Sequence, residues 1–287
     1  MTHGTTGSEI VVGVDPDPAE SSQFALDWAA GEAARRNLPL RLVVSIPPLH
    51  DTQHVDTVPH YLSLKSQAER ALASASGTVV RRWPALPVTT ELFDGMPARV
   101  ICRTAARRAR LVVLGSRRLS GPAEIFSARS VVVPVSAQAD CPVVVVREPA
   151  HPTAESALVV GVDGSESSRS AVAFAVEEAS LRHAGVHALW AWRRPAVSLR
   201  DEAAGTAERR RLLAETVAGW AEEYPDVRIT QDVVSGHPVE ELARASADAL
   251  AVVAGRRGRG GYSGMRLGSV VHGLLHRATC PVITVPA

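Results

Sequence analysis

The chain has 287 residues, of which 46% are hydrophobic, so disorder over most of its length is excluded and two domains are expected. Its 31 basic and 30 acidic residues leave a formal net charge of +1. No overall field therefore attracts the chain to nucleic acid or to an anionic membrane, and we expect neither as a partner.

Individual residues and segments exclude several further kinds of protein and site. Residues 1–9 lack a basic segment followed by an apolar one, and no apolar stretch reaches the ~18 residues that span a membrane, so we expect a cytoplasmic protein. Lys65 is the only lysine, which argues against a Schiff base or a P-loop. Three scattered cysteines do not form a disulfide framework. His272 and His276 lack further ligands at zinc spacing, and we expect no metal site.

The sequence contains one unit twice. Residues 10–15, Ile-Val-Val-Gly-Val-Asp, recur at 158–163 as Leu-Val-Val-Gly-Val-Asp. Cys141-Pro-Val recurs at Cys280, and the order of the repeated segments is kept. Such long-range repetition indicates duplication of a whole domain rather than a short-period solenoid.

The two halves are separated by a polar segment. We expect an N-terminal domain over residues 1–148 and a C-terminal domain over residues 156–287. The residues between them include prolines and polar side chains, and they separate two apolar runs. Each half should therefore fold around its own core.

Short apolar runs rich in β-branched residues alternate with longer stretches of helical period in both halves. The predicted strands of the first half are 10–14, 40–46, 88–92, 110–114 and 143–146. Those of the second half are 157–162, 186–192, 227–234, 250–254 and 281–285, and its helices are 167–183, 206–223, 238–248 and 269–278. Apolar strands separated by helices imply an α/β fold with a parallel sheet covered on both faces.

A glycine-rich segment follows the fourth strand of the second half. Glycines at 255, 258 and 268 let the backbone approach a ligand closely, and the helix that follows opens with the amides of Gly268, Ser269 and Val270. The segment predicts an anion site, with phosphate contacts from Arg256, Arg257 and Arg259. A surface loop with solvated arginines is the alternative. The segment is neither a P-loop nor the Rossmann fingerprint.

Three motifs of the second half resemble the universal stress protein family, ATP-binding type. They are Gly161-Val-Asp163-Gly-Ser165, Gly255-x2-Gly258-x9-Gly268-Ser269 and Ala278-Thr-Cys280-Pro-Val-Ile. The resemblance covers nearly the whole chain as two tandem domains. It implies that each domain is a five-stranded parallel sheet flanked by helices, a Rossmann-like arrangement.

The resemblance also implies an adenine nucleotide, ATP with or without Mg²⁺, in the C-terminal domain. Asp163 would contact the ribose or the adenine, the backbone of Ala191 would bind the adenine edge, and Gly161 and Ala254 would line that pocket. The phosphates would lie on the backbone of Gly255, Gly258, Gly268, Ser269 and Val270. The alternative for Asp163 is an ordinary cap of the following helix.

The first half departs from this pattern. Asp15 and Gly115 are retained, but Arg118 stands in place of the second glycine, and Ala128-Arg129 replace the third glycine and the serine. Pro134 falls within the expected last helix, where it would remove a backbone bond and kink the helix. Arg118 and Arg129 could still reach phosphate with their side chains, but we expect a degenerate site that is weak or lost.

The leading hypothesis is a nucleotide-binding regulatory protein of the stress response. We expect little or no turnover, because no general base is visible beside the phosphates. The alternatives are an enzyme of a related α/β fold that cleaves ATP between its α- and β-phosphates, and a nucleotide-free interaction scaffold. The sequence does not distinguish ATP from AMP or a cyclic nucleotide.

Two apolar strands bear on assembly. Residues 143–146 and 282–285 are predicted to lie at sheet edges, which favour pairing with another strand. The family resemblance implies dimers through this edge. We therefore expect the two halves to form an internal pseudo-dimer, and two chains to associate further as a homodimer.

Overall fold

The computed structural model describes residues 7–16, 20–47, 57–116, 131–147, 153, 156–193, 202–259 and 266–287. The chain divides into two compact units, Met1–Arg147 and Glu148–Ala287. Each unit contains one parallel sheet, and the two follow the same order of elements.

The sheet of the N-terminal unit has the strand order β3-β2-β1-β4-β5, and its described strand pairs are parallel. Its strands are β1 (Glu9–Gly13), β2 (Leu40–Ile46), β3 (Val88–Asp94), β4 (Ala109–Gly115) and β5 (Val143–Val146). Its helices are α1 (Glu20–Arg36), α2 (Thr57–Arg82), α3 (Pro97–Arg108) and α4 (Val132–Gln138). Right-handed crossovers place α1 and α2 on one face and α3 and α4 on the other.

The C-terminal unit has the equivalent order β8-β7-β6-β9-β10, again with parallel pairs. Its strands are β6 (Ala157–Gly161), β7 (Gly185–Trp192), β8 (Ile229–Ser235), β9 (Ala251–Gly255) and β10 (Val282–Val285). Its helices are α5 (Glu166–Arg182), α6 (Glu202–Val217), α7 (Trp220–Glu223), α8 (Pro238–Ala245) and α9 (Ser269–Arg277). The predicted α/β fold class is confirmed, while the expected homodimer stays a prediction.

Two predicted helices differ from those observed. The single helix expected over residues 206–223 is wrong, because α6 ends at Val217 and Gly219 adopts a φ of 85° before α7 begins. The expected kink at Pro134 is also wrong. The helix α4 begins only at Val132, so Pro134 lies in its first turn, where a backbone N–H has no intrahelical partner to lose.

Each unit buries one glutamate completely within its first helix. Glu32 on α1 and Glu178 on α5 are both 0% exposed. Glu32 binds Arg36 and Glu178 binds Arg182, each one turn further along the same helix. A buried carboxylate is tolerated only with such a partner, because its charge loses the hydration that stabilises it in water.

Replacing a helical glycine by alanine is expected to have opposite effects on stability in two of the helices. At Gly77 in α2, an added Cβ meets only an Arg81 nitrogen at 3.5 Å, so Gly77→Ala should raise the free energy of unfolding by about 0.5–1 kcal/mol. At Gly273 in α9, it would lie 2.6 Å from both methyl carbons of Val239 on α8. Gly273→Ala should therefore lower the free energy of unfolding by about 1–3 kcal/mol. Urea titrations of both variants test this pair, and equal signs would contradict the packing of α9 on α8.

Candidate functional site

The carboxyl ends of β6 and β9 form the point where the strand order of the C-terminal unit reverses. The two strands are neighbours, with Gly161 beside Ala254. The chain leaves β6 toward α5 and β7 but leaves β9 toward α9 and β10, so the two loops diverge to opposite sides. Such a divergence opens a crevice, which is the usual place for a ligand in an open α/β sheet.

Asp163 joins the two loops at this crevice. Its Oδ1 accepts a hydrogen bond from the backbone amide of Ser165 at 2.9 Å, and its Oδ2 accepts one from the amide of Arg259 at 2.8 Å. The second bond connects residues that are 96 positions apart. We call this arrangement the Asp163 clasp. The alternative role as helix cap is wrong, since the N-cap of α5 is Ser165, whose hydroxyl accepts from the Ser168 amide.

Two of the three predicted glycines lie where a side chain does not fit. A Cβ on Gly258 would lie 2.4 Å from Oδ2 of Asp163, and a Cβ on Gly255 would lie 2.5 Å from the carbonyl oxygen of Ser167. Real Cβ atoms do not approach that closely, so glycine is required for the clasp and for the contact of β9 with the start of α5.

The third glycine closes the glycine-rich loop at its base. The amide of Gly268 donates to the carbonyl of Arg256 at 2.9 Å, and Gly268 is the N-cap of α9. Because this amide is already used, the amides of Ser269 and Val270 are the ones that the helix start presents to an anion. Ser269 is exposed and Val270 is half-buried.

The predicted arginines differ in exposure. Arg257 and Arg259 are exposed, and Arg256 is half-buried. The amide of Arg257 lies 3.4 Å from the hydroxyl of Ser167, a residue buried at the start of α5. Ser167 was missed by the sequence reasoning, although the run Ser165-Glu-Ser-Ser at a helix start is a recognisable signal.

The residues predicted to line an adenine pocket lie at two levels. The carbonyl of Leu189 accepts a hydrogen bond from the amide of Val162 at 3.0 Å, just after β6 ends. Ala191 lies two residues further along β7, so Ala191 is level with the loop that follows β6. Gly161 and Ala254 lie one step lower, inside the sheet. A Cβ on Gly161 would lie 3.1 Å from Leu242 on α8, so close helix packing also accounts for this glycine.

Comparison with known proteins places the chain in a family. The sequence profile of the universal stress protein family matches residues 8–147 and again residues 156–286. The chain belongs to the universal stress protein family. It is similar to Universal stress protein Rv2623 of Mycobacterium tuberculosis (strain ATCC 25618 / H37Rv), with 35% identity over 297 residues that cover 99% of this chain and 98% of the relative. Universal stress protein Rv2005c of the same strain is 36% identical over 297 residues, with coverage of 96% and 95%.

A solved structure supports the fold of this universal stress protein. The structure of a universal stress protein from Archaeoglobus fulgidus DSM 4304 matches 98% of this chain and 97% of its own, with a TM-score of 0.72. The sequence identity is 16%, so this likeness bears on the fold alone. The predicted architecture of two tandem universal stress protein domains is confirmed.

The N-terminal universal stress protein domain differs at the equivalent crevice. Asp15 follows β1 and Gly115 ends β4, as predicted, while Arg118 and Arg129 lie outside the described residues. The helix α4 starts with Val131 as a cap that makes no side-chain bond. Nothing in the described part of this domain reproduces the glycine-capped start of α9.

A cavity of about 800 Å³ also lies in this domain, between α1 and α2 at the carboxyl end of β1. Its walls include Asp15, Pro16, Gln23 and Arg70. Asp15, the counterpart of Asp163, therefore borders this cavity.

Other candidate chemistry is sparse in the described part of the chain. Burial raises the pKa of the Cys280 thiol to about 12, which keeps it protonated and unreactive at neutral pH. No group of three or more His, Cys, Asp or Glu side chains among the described residues is arranged to hold a metal ion. The rings of His272 and His276 lie 4.9 Å apart. Across the described helices, none combines the length and apolar character needed to span a membrane.

Proposed function

We propose that this universal stress protein binds an adenine nucleotide, such as ATP, in its C-terminal domain and acts as a regulatory protein of the stress response. The observation that carries the proposal is the Asp163 clasp. It holds the glycine-rich loop against the crevice, between the starts of α5 and α9. A carboxylate that ties the start of α5 to the glycine-rich loop before α9 prepares a site for a polyphosphate before any ligand arrives.

The chemistry of the residues fits the parts of a nucleotide. The amides of Ser269 and Val270 and the positive end of α9 suit phosphate oxygens. Asp163 uses one lone pair of each oxygen on the clasp, and a carboxylate has further lone pairs to accept a ribose hydroxyl. The backbone of Ala191 would face the adenine edge. Mg²⁺ would enter bound to the phosphates of ATP, and the hydroxyl of Ser269 could help to hold them.

Binding without fast turnover is part of the proposal. Asp163 contacts the glycine-rich loop, and both its oxygens already accept backbone amides. Because both oxygens are already used in the clasp, we assign no general base for an attacking water to this site, and we expect little or no turnover. The N-terminal domain, which lacks the glycine pattern, would bind nucleotide weakly or not at all.

Calorimetric titration of ATP into nucleotide-stripped protein tests the proposal. Wild type should bind one ATP strongly, and Gly268→Val/Ser269→Ala should weaken binding at least about tenfold, because it crowds the helix start and removes a hydroxyl donor. The matched control is Ser76→Ala/Gly77→Ala, an adjacent serine and glycine on α2 of the other domain. It should bind as wild type does.

Three results would contradict parts of this proposal. Absence of binding by wild type would favour a nucleotide-free scaffold. Two sites of equal affinity would contradict the asymmetry between the domains. Release of AMP and pyrophosphate during prolonged incubation would favour the enzyme alternative over a regulatory protein.

A further inference from the structure

The side chain of Arg259 lies over Gly164, in the loop that follows β6. Its Nη2 and Cζ lie 3.1 and 3.2 Å from the position that a Cβ of Gly164 would occupy. The Cη2 atom of Trp190 lies 3.0 Å from the same position. The guanidinium and the indole therefore both lie over the backbone of Gly164, which has a φ of 75° and carries no side chain.

This cluster lies on one side of the crevice. Gly164 follows β6 and Trp190 belongs to β7, whereas the proposed phosphate positions lie at the end of β9 and the start of α9. Arg259 therefore starts in the loop after β9 and reaches across β6 toward β7. Ala191, the residue after Trp190, is the one proposed to bind the adenine edge, so the guanidinium lies at the nucleoside end of the site.

We infer that Arg259 forms one wall of the nucleoside pocket and stacks on the base of the nucleotide, rather than binding its phosphates. This inference rests on the proposed function and replaces the phosphate role that the sequence predicted for Arg259. A guanidinium is planar and weakly hydrated, so it stacks on aromatic rings better than an ammonium does. The ligand class it selects is a nucleoside with a planar aromatic base.

The main chain holds Arg259 in place for this role. Its amide donates to Asp163 in the clasp, which fixes the start of the side chain over the crevice. Trp190 is only 6% exposed, so it is a fixed neighbour of the space over Gly164 that the guanidinium occupies. A side chain positioned in this way loses little further conformational freedom when a base packs against it.

The neighbouring Arg257 serves as a matched control. It is also exposed and belongs to the same loop, but its amide lies beside Ser167 at the start of α5. The N-terminal domain offers a second contrast, since Pro16 and Val44 occupy the positions equivalent to Gly164 and Trp190. Effects of Arg259 therefore report on the C-terminal domain.

The experiment compares adenosine, AMP and ATP as ligands for the full chain, by calorimetry and by tryptophan emission. Arg259→Ala should lower the affinity for all three ligands to a similar extent, about fivefold, because the lost contact is to the base that they share. Arg257→Ala should lower the affinity for ATP about fivefold and leave the affinity for adenosine unchanged, because it removes a positive charge near the phosphates. Arg259→Lys should resemble Arg259→Ala, since an ammonium does not replace planar stacking.

Two results would overturn the inference. The first is a loss of affinity in Arg259→Ala that is larger for ATP than for adenosine and that Arg259→Lys restores. This result would show that the side chain binds phosphate. The second is unchanged affinity for all three ligands, which would make it a solvated side chain. If wild type binds none of them, the proposed function itself fails, and the inference fails with it.

Discussion

Replacing Asp163 by alanine should lower the affinity for ATP about 100-fold, because hydrogen bonds to a charged group contribute more than neutral ones and this carboxylate makes several. The variant loses the acceptor for the amides of Ser165 and Arg259, so the glycine-rich loop is no longer held against β6. It also loses the proposed ribose contact. Asp163→Asn keeps one carbonyl oxygen as acceptor and should lie between wild type and Asp163→Ala.

The duplicated sequence supplies the control for this prediction. Asp15→Ala removes the equivalent carboxylate from the N-terminal domain. If the C-terminal domain holds the nucleotide, Asp15→Ala should keep the affinity of wild type within about twofold, the ordinary effect of a change away from the site. Both variants are titrated with ATP by calorimetry. A large loss of ATP affinity in Asp15→Ala, with little loss in Asp163→Ala, would indicate that the nucleotide binds to the N-terminal domain instead.

Removing the buried carboxylate of Glu178 should cost more stability than any other change considered. Glu178→Ala leaves Arg182, whose side chain is only 16% exposed, without its partner on α5. Breaking one side of a buried ion pair costs about 3–5 kcal/mol, because the remaining charge stays poorly hydrated. Glu222→Ala on α7 removes an exposed carboxylate and should change the free energy of unfolding by less than about 0.5 kcal/mol.

The measurement must separate the two domains, since a tandem protein need not unfold in one step. Trp28→Phe/Trp83→Phe leaves tryptophans only in the C-terminal half, at 190, 192 and 220. Urea unfolding followed by their emission then reports on the domain that contains Glu178. A stability loss below 1 kcal/mol would indicate that water reaches the Glu178 carboxylate and that it is not buried in solution.

Most of the fold was predictable from the sequence because the signals are local or repeated. Hydrophobic runs of four to seven residues marked the strands, and β2 and β5 were predicted to the residue. The failures have physical causes. Gly219 adopts a left-handed conformation that helical periodicity does not report, and Pro134 shortened α4 by shifting its start rather than by bending it.

The residues of the candidate site were predictable from the sequence, but their mutual contacts and the directions of their side chains were not. Glycine spacing and the carboxylate after β6 indicated which residues would meet, since strand ends of a parallel sheet lie together. The sequence offered no sign that Asp163 would bind the amide of Arg259, a contact between residues far apart in the chain. It also did not reveal that the Arg259 side chain would lie over Gly164, because side-chain direction depends on tertiary contacts.

The contact of Gly273 with Val239 links the proposed phosphate site to the outside of the domain. Because α9 meets α8 there through a glycine, the backbone of α9 lies directly against Val239 with no side chain of residue 273 between them. A displacement of the first turn of α9 would therefore act directly on α8. Occupancy at Ser269 would then be readable on the solvent face of α8, where Glu240 and Arg244 are exposed.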